Sequence, residues 1–264
     1  MKDCLLLNEK YVQRLIVDHC RRSNIIMDDN TEITIEKIKQ NPQTFIRPHH
    51  QESPENKKIL HKKNAEVFTP SWLCNVQNNL IDSRWFGEVN VFNKEYEKTW
   101  ITKTAKIEFP KSKTWKEYVS LNRLEICCGE APYLVSRYDS VTGNPIAIQD
   151  RIGLLDRKLR IVNENTSSKR DWEKFSVIAF KSTYGYEKKG KNLLLARLNL
   201  FSTYIDYYVD RFGKDPNDSI LLEISNIISW NLWQMDGLDP KAVETSQLMD
   251  WNHNKIVPFK TFLL

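Results

Sequence analysis

The sequence predicts a doubly wound α/β domain. Three strand-like segments lie in order, each ends in polar loop chemistry, and helical patterns separate them, which is how parallel strands are joined. The first runs Leu124-Glu125-Ile126-Cys127-Cys128; Gly129 follows, a residue that can turn sharply or admit a ligand close to the backbone. The second, Ser182 to Tyr186, ends in Glu187, an acid placed where a carboxylate can accept both hydroxyls of a ribose. After it comes a helix with Leu194, Leu198, Phe201, Ile205 and Tyr208 on one stripe. Asp215-Pro216-Asn217-Asp218 then starts another helix, with Leu221, Ile224 and Ile228 as its apolar face, and the strand-like Trp230 to Met235 delivers Asp236.

N-terminal to this region the pattern is helical. Residues 5–24 carry Leu6, Tyr11, Leu15, Ile16 and Cys20 near one face. Residues 28–63 are more polar; Thr34 can cap a short helix bearing Ile35 and Ile38, and the basic cluster Lys57-Lys58-Ile59-Leu60-His61-Lys62-Lys63 closes the stretch. Residues 1–63 are therefore expected to be a solvated helical arm, and residues 64–264 the domain. That domain opens with an extended segment, Glu66 to Thr69, closed by Pro70, and a helix to about Asp82 with Trp72, Val76 and Leu80 on its apolar face. Ile256 to Phe259 reads as a short edge strand.

Residues 92–118 form an insertion. From Lys94 to Lys116 there are seven lysines and three glutamates, interleaved with Tyr96, Trp100, Phe109 and Trp115. Lysines beside flat rings suit a nucleic-acid groove, but the reading preferred for this stretch is a solvated hairpin with its rings turned inward.

Composition removes several function classes. The 264 residues hold 8 glycines, about 3% against roughly 7% on average. Neither the P-loop pattern nor G-x-G-x-x-G occurs, which demotes nucleotide hydrolysis. The five cysteines lack C-x-x-C spacing and the five histidines form no ligand set, so no metal site is expected. The net charge of +5 permits nucleic acid without demanding it. No run has the length and apolarity of a membrane helix, and the start lacks a signal-peptide core, so a cytoplasmic protein without membrane contact is expected.

Over about residues 64–251 the chain resembles the adenine-specific DNA methyltransferases of restriction-modification systems, in particular their subunit M group. Val67-Phe68-Thr69-Pro70 looks like the F-x-T-P segment. Leu124-Glu125 to Leu134 is similar to the L-E-P-x-C-G-x-G-x-F-L loop. Tyr184-Gly185-Tyr186-Glu187, then Asn192 to Leu200, resembles the G-x-E plus A-R-x-N-L signature, and Gln234-Met235-Asp236-Gly237-Leu238 resembles the segment after it. The resemblance implies a Rossmann-like methyltransferase domain that binds S-adenosylmethionine. Phe68, Thr69 and Pro70 would lie over the methionine part, and Glu125, Cys128, Gly129 and Tyr133 would belong to the loop holding the amino-acid end. Glu187 would bind the ribose and Asp236 would approach the adenine.

Two departures stand out. Glu130 and Ala131 replace the expected second glycine, and no Asn-Pro-Pro-Tyr/Phe occurs, the tetrapeptide that holds an extruded base by its amino group and stacks on it. No catalytic residue is assigned. The expected function is therefore a DNA adenine methyltransferase subunit that needs a second polypeptide for the catalytic motif. The alternative is a non-catalytic DNA- or partner-binding subunit on the same fold.

Overall fold

The computed structural model of the chain describes residues 8–58 and 68–262. The expected strand through Glu66 and Val67, most of the basic cluster at 57–63 and Leu6 of the first helix lie outside the described residues. The chain divides into two compact units: residues 1–47, 124–131 and 183–264 make one, residues 48–123 and 132–182 the other. The arm-then-domain division is corrected by this. Ile25, Ile33, Ile38, Phe45 and Ile46 are buried, so the stretch to residue 47 is part of the first unit's core, and the polar residues around them are its surface.

In the first unit, Asn8 caps helix α1 (Glu9–Ile16) by accepting from the Lys10 N–H. The helix stops well short of residue 24, because Val17 and Asp18 turn extended (β1, Val17–Asp18) and pair with β2 (Ser23–Asn24). Thr34 caps α2 (Ile35–Gln40) as predicted, and α3 (Pro42–Ile46) follows with Pro at its first turn.

In the second unit, α4 (Ser71–Phe86) overturns the expected apolar stripe. Leu80 is exposed, and the buried face is Cys74, Asn75, Asn78, Asn79, Asp82 and Phe86. The polar spacing i, i+3, i+4, i+7 is a helix face. It is buried because a charge meets it. Arg157, on α6 (Leu154–Asn165), is 1% exposed and donates to Asp82 Oδ2 at 2.6 Å and to Asn75 and Asn79 Oδ1 at 2.8 Å. Tyr118, on α5 (Trp115–Ser120), donates to the other Asp82 oxygen at 3.0 Å. Asn93 joins Asn75 and Asn79, fixing the start of the hairpin β3 (Asn93–Tyr96) and β4 (Thr99–Thr102). Three of the four rings in the Lys-rich stretch are packed: Phe109 against Trp85 and Phe86, Trp115 against Phe175 of α7 (Lys169–Lys181), and Trp100 with its Nε1–H on Asp150 O. Only Tyr96 stands open, at 56% exposure.

Strand β5 (Arg123–Glu125) ends sooner than expected: Leu124, Ile126 and Cys127 are exposed, so 124–128 is no buried strand. The reason lies at Cys127, whose φ of 51° ends the extended run in a turn. Strand β6 (Thr183–Glu187) is buried throughout and pairs in parallel with β7 (Leu232–Gln234), in the sheet order β5-β6-β7. The Arg123 N–H to Ser182 O and Cys128 N–H to Tyr186 O bonds advance together along both segments, so β5 also runs parallel. This small parallel sheet in a largely helical chain is the part of the α/β expectation that is met. Between β6 and β7 lie α8 (Gly190–Phe212), buried on nearly every side, and α9 (Asp218–Asn231), capped by Asn217. Helix α9 runs to Asn231, so the last strand starts two residues later than the pattern predicts. Beyond β7, α10 (Pro240–Thr245) leads into an antiparallel hairpin of β8 (Gln247–Asp250) and β9 (Lys255–Pro258). Tyr184 and Tyr186 of β6 pack with Trp233, Met235, Leu248 and Phe259 in one cluster.

Arg197 of α8 ties the first unit together. Its buried guanidinium donates to the carbonyls of Leu15, Val17, Ser229 and Leu232 at 2.5–3.1 Å. These are carbonyls at the ends of α1 and α9, which lack partners within their own helices. Burial lowers its pKa to about 10, so it stays charged at neutral pH.

Removing one member of a buried ion pair leaves the other charge without compensation. Asp82→Ala is expected to destabilise the protein by about 3–5 kcal/mol, and Asp82→Leu combined with Arg157→Met to recover most of it. Urea unfolding monitored by fluorescence reads both values.

Candidate functional site

At the carboxyl ends of β5, β6 and β7 three loops come together. The loop after β5 is held in an unusual backbone course. Cys127, Gly129 and Ala131 have φ of 51°, 54° and 64°, and alternate with residues of ordinary φ. Such alternation is the backbone form of an anion-receiving concavity, but here the N–H groups of Cys128, Gly129 and Ala131 are taken by acceptors of the protein itself. Two of the three positive-φ residues are not glycine, at a cost of roughly 1–2 kcal/mol each. Four hydrogen bonds hold them there. Cys128 N–H donates to Tyr186 O at 2.9 Å, Gly129 N–H to Glu187 Oε2 at 2.9 Å, Ala131 N–H to Cys128 O at 2.7 Å, and Asn199 Nδ2 to Glu130 O at 3.0 Å.

Glu187 is 7% exposed, and its other oxygen accepts from Lys189 N–H at 2.7 Å. Burial raises its pKa, while the backbone donors at Lys189 and Gly129 oppose the rise. Its carbonyl accepts from Met235 N–H at 3.1 Å, which joins the loop after β7 to the same point. Asp236 follows. It pairs with Lys188 at 2.7 Å and accepts from Leu238 N–H at 3.0 Å; the Lys188 hydrogen bond holds its pKa below the usual carboxylate range. Glycine at 237 is required by contact, since a Cβ there would lie 2.6 Å from Tyr186 Oη. At Gly129 nothing lies within 4 Å of a Cβ position: the positive φ, not packing, calls for glycine, and the space in front of the backbone is open.

A cleft of about 430 Å³ adjoins these loops, lined in part by Arg21, Met27, Asp28, Lys188, Lys189 and Asp236. The N-terminal segment forms its far wall. Gln234 fastens that wall by accepting from Ile26 N–H at 2.9 Å and donating to Ile26 O at 2.8 Å, and Lys189 pairs with Asp28 at 2.7 Å.

The structure therefore brings together Glu125, Cys128, Gly129, Glu187 and Asp236 of the expected site, with Glu125 and Cys128 buried beneath the loop. Phe68, Thr69, Pro70 and Tyr133 belong to the other unit. There Phe68 stacks on His49 at 3.7 Å, Thr69 O accepts from Ser140, Pro70 precedes α4, and Tyr133 O accepts from Asn78. Sequence reasoning missed Gln234, Lys188, Lys189 and the Arg21 to Asn30 wall. The Ile26–Gln234 contact spans 208 positions, and no local spacing announces it. Among the described residues no group of three or more His, Cys, Asp or Glu side chains comes together as a metal site, and no helix is long and apolar enough to cross a membrane.

His19, on the β1–β2 turn, stacks on Trp230 at 4.2 Å and meets Ser229 Oγ at 3.0 Å. Burial first, then Arg197 and Arg14, lowers its pKa to about 4 from 6.5. Because the folded value is depressed, the unfolded chain takes up the proton more readily between these values. The stability His19 contributes is complete above pH 6.5 and is lost as pH falls toward 4. Asp18 and Glu187, raised by burial, act with the opposite sign. The readout is therefore a difference: His19→Gln is expected to flatten the loss of stability between pH 6.5 and 4 relative to the native chain, measured by denaturant titration across that window.

Searches of protein-family models, of curated proteins and of solved structures found no match to this chain.

Proposed function

We propose that this chain binds S-adenosylmethionine at the carboxyl edge of the β5-β6-β7 sheet, as the cofactor-binding subunit of an adenine-specific DNA methyltransferase of the restriction-modification type. The observation that carries this reading is the hydrogen bond from Gly129 N–H to the Glu187 carboxylate, with Asp236 two positions beyond the β7 residue that faces Glu187. Glycine loop, strand-end acid and second acid thus converge on one edge in the order the resemblance implies. A Rossmann-like, doubly wound arrangement is the finer fold consistent with it.

The residues present fit the group. A carboxylate has about four acceptor sites, and Glu187 faces the backbone N–H groups of Gly129, Lys189 and Lys188, leaving capacity for a ribose hydroxyl. Open space before Gly129 allows a ligand to approach the backbone. Glu130 and Ala131, which replace the expected glycine, are buried, so neither side chain fills that space. Ile126 and Leu238, 64% and 92% exposed on the flanking loops, offer apolar surface to a flat purine. When bound, the cofactor supplies an electrophilic methyl on a sulfonium. The chain's own part is to hold and orient, which needs no metal and no covalent enzyme intermediate.

The acceptor side is a separate matter. No Asn-Pro-Pro-Tyr or Asn-Pro-Pro-Phe is present in these 264 residues, so we assign the seat of the target adenine to a second polypeptide. Titration of S-adenosylmethionine into the chain, followed by calorimetry, is expected to give a saturable site. Glu187→Gln should weaken it at least about tenfold, or about 1.4 kcal/mol. Absence of heat from the native chain, or a variant that binds equally well, refutes the reading. Methyl transfer to DNA by the chain alone would refute the assignment to a second polypeptide.

A further inference from the structure

The hairpin β3–β4 of the second unit has two faces of opposite character. Cross-strand pairing places Asn93 opposite Thr102 and Glu95 opposite Trp100, on the face turned to the body of the unit. Every one of these is engaged: Asn93 with Asn75, Glu95 with Asn79 at 2.9 Å, Trp100 with Asp150 O at 2.9 Å, and Thr102 with Asp150 Oδ1 at 2.7 Å. The opposite face carries Lys94 opposite Ile101 and Tyr96 opposite Thr99. Lys103 continues it, with its N–H on Phe92 O at 2.9 Å. Tyr96 and Ile101 are 56% and 60% exposed, two large apolar groups together on one face of the ribbon. Around them Lys94, Lys98, Lys103, Lys106 and Lys111 are exposed, and no carboxylate among the described residues pairs with them. The acids of the stretch leave a positive surplus: Glu95, which accepts from Asn79, and Glu97 and Glu108 are three exposed carboxylates against five exposed lysines.

The geometry points to the outer face of this hairpin as a contact for duplex DNA, with Lys94, Lys98 and Lys103 on phosphates and Tyr96 and Ile101 against the groove wall. A two-stranded ribbon fits a major groove about 12 Å wide, and unpaired lysines release the counterions that such binding displaces. The choice of DNA as the polyanion rests on the methyltransferase reading; the location of the contact rests on the hairpin alone.

The test is fluorescence anisotropy of a labelled DNA duplex titrated with the full chain over a range of salt. Lys94→Ala with Lys103→Ala is expected to reduce the slope of log affinity against log salt by about 2, since each lost phosphate contact removes about 0.9. Tyr96→Ala is expected to weaken binding at every salt concentration and leave the slope unchanged. All three positions are exposed, and an unchanged thermal unfolding midpoint verifies that the variants fold. No binding by the native chain, an unaltered slope in the double variant, or tighter binding of a single-stranded RNA than of the duplex each overturns the proposal. Calorimetry with S-adenosylmethionine on the same lysine variant separates the two ideas: cofactor heat retained with the DNA slope reduced upholds the hairpin contact on its own evidence. DNA binding that depends on the hairpin, from a chain giving no cofactor heat, upholds the contact and refutes only the cofactor reading.

Discussion

The carboxylate of Glu187 is the point on which the sheet edge depends. One residue joins the loop after β5 through its carboxylate and Gly129, its own turn through its carboxylate and Lys189 and, by its backbone carbonyl, the loop after β7 through Met235. Energetically the balance is narrow. The positive φ values of Cys127 and Ala131 cost roughly 1–2 kcal/mol each, and a hydrogen bond to a charged acceptor contributes about 1.5–3 kcal/mol. One such bond reaches the loop, from Gly129 N–H, and together with the Cys128, Ala131 and Asn199 bonds it is of the right size to hold the loop in a course that an unsupported chain would leave. The Gly129 and Lys189 N–H groups also oppose the burial that pushes the carboxyl's pKa upward. The group we propose for the ligand is thus also the group that shapes this loop.

Arg197 and Asn199 give physical content to the A-R-x-N-L segment. Arg197 collects carbonyls from the ends of α1 and α9, and Asn199, two positions on, holds the carbonyl of Glu130 in the loop after β5. One helix therefore fixes both the frame and the loop. The segment's role here is positional, and a sequence pattern that looks like chemistry is in this case a pair of backbone clamps.

Some of this was legible in the sequence. Strand β6 and the acid at its end, the caps at Thr34 and Asn217, and the loop at Gly129 all announce themselves locally, because a cap or a strand end is decided by a few neighbouring residues. What failed depended on partners far along the chain. The Asn75, Asn78, Asn79 and Asp82 stripe reads as a solvated face until Arg157 is known to lie beneath it. Residues 28–47 read as an arm because their buried isoleucines are sparse among polar neighbours. The Leu124 to Cys128 run reads as a buried strand by composition, yet the turn at Cys127 exposes half of it. Of the expected site, the acid and glycine positions converge, whereas Phe68 to Pro70 and Tyr133 fall in the other unit.

The charges of the two units are handled differently, and this bears on where a polyanion can act. In the first unit, Lys188 and Lys189 are neutralised by Asp236 and Asp28 at 2.7 Å each, and of the cations lining the cleft Arg21 alone makes no ion pair among the described residues. A neutral or zwitterionic ligand suits such a rim better than a chain of phosphates, whose counterions are released only by unpaired cations. In the second unit the hairpin's lysines have no such acids, while its inner face is bound to the body by four engaged side chains. A small ligand and a long anion would therefore not compete for the same groups. The sign of the net charge, +5 overall, says less about partners than the places where lysines without ion pairs cluster, and the hairpin stretch is one of them.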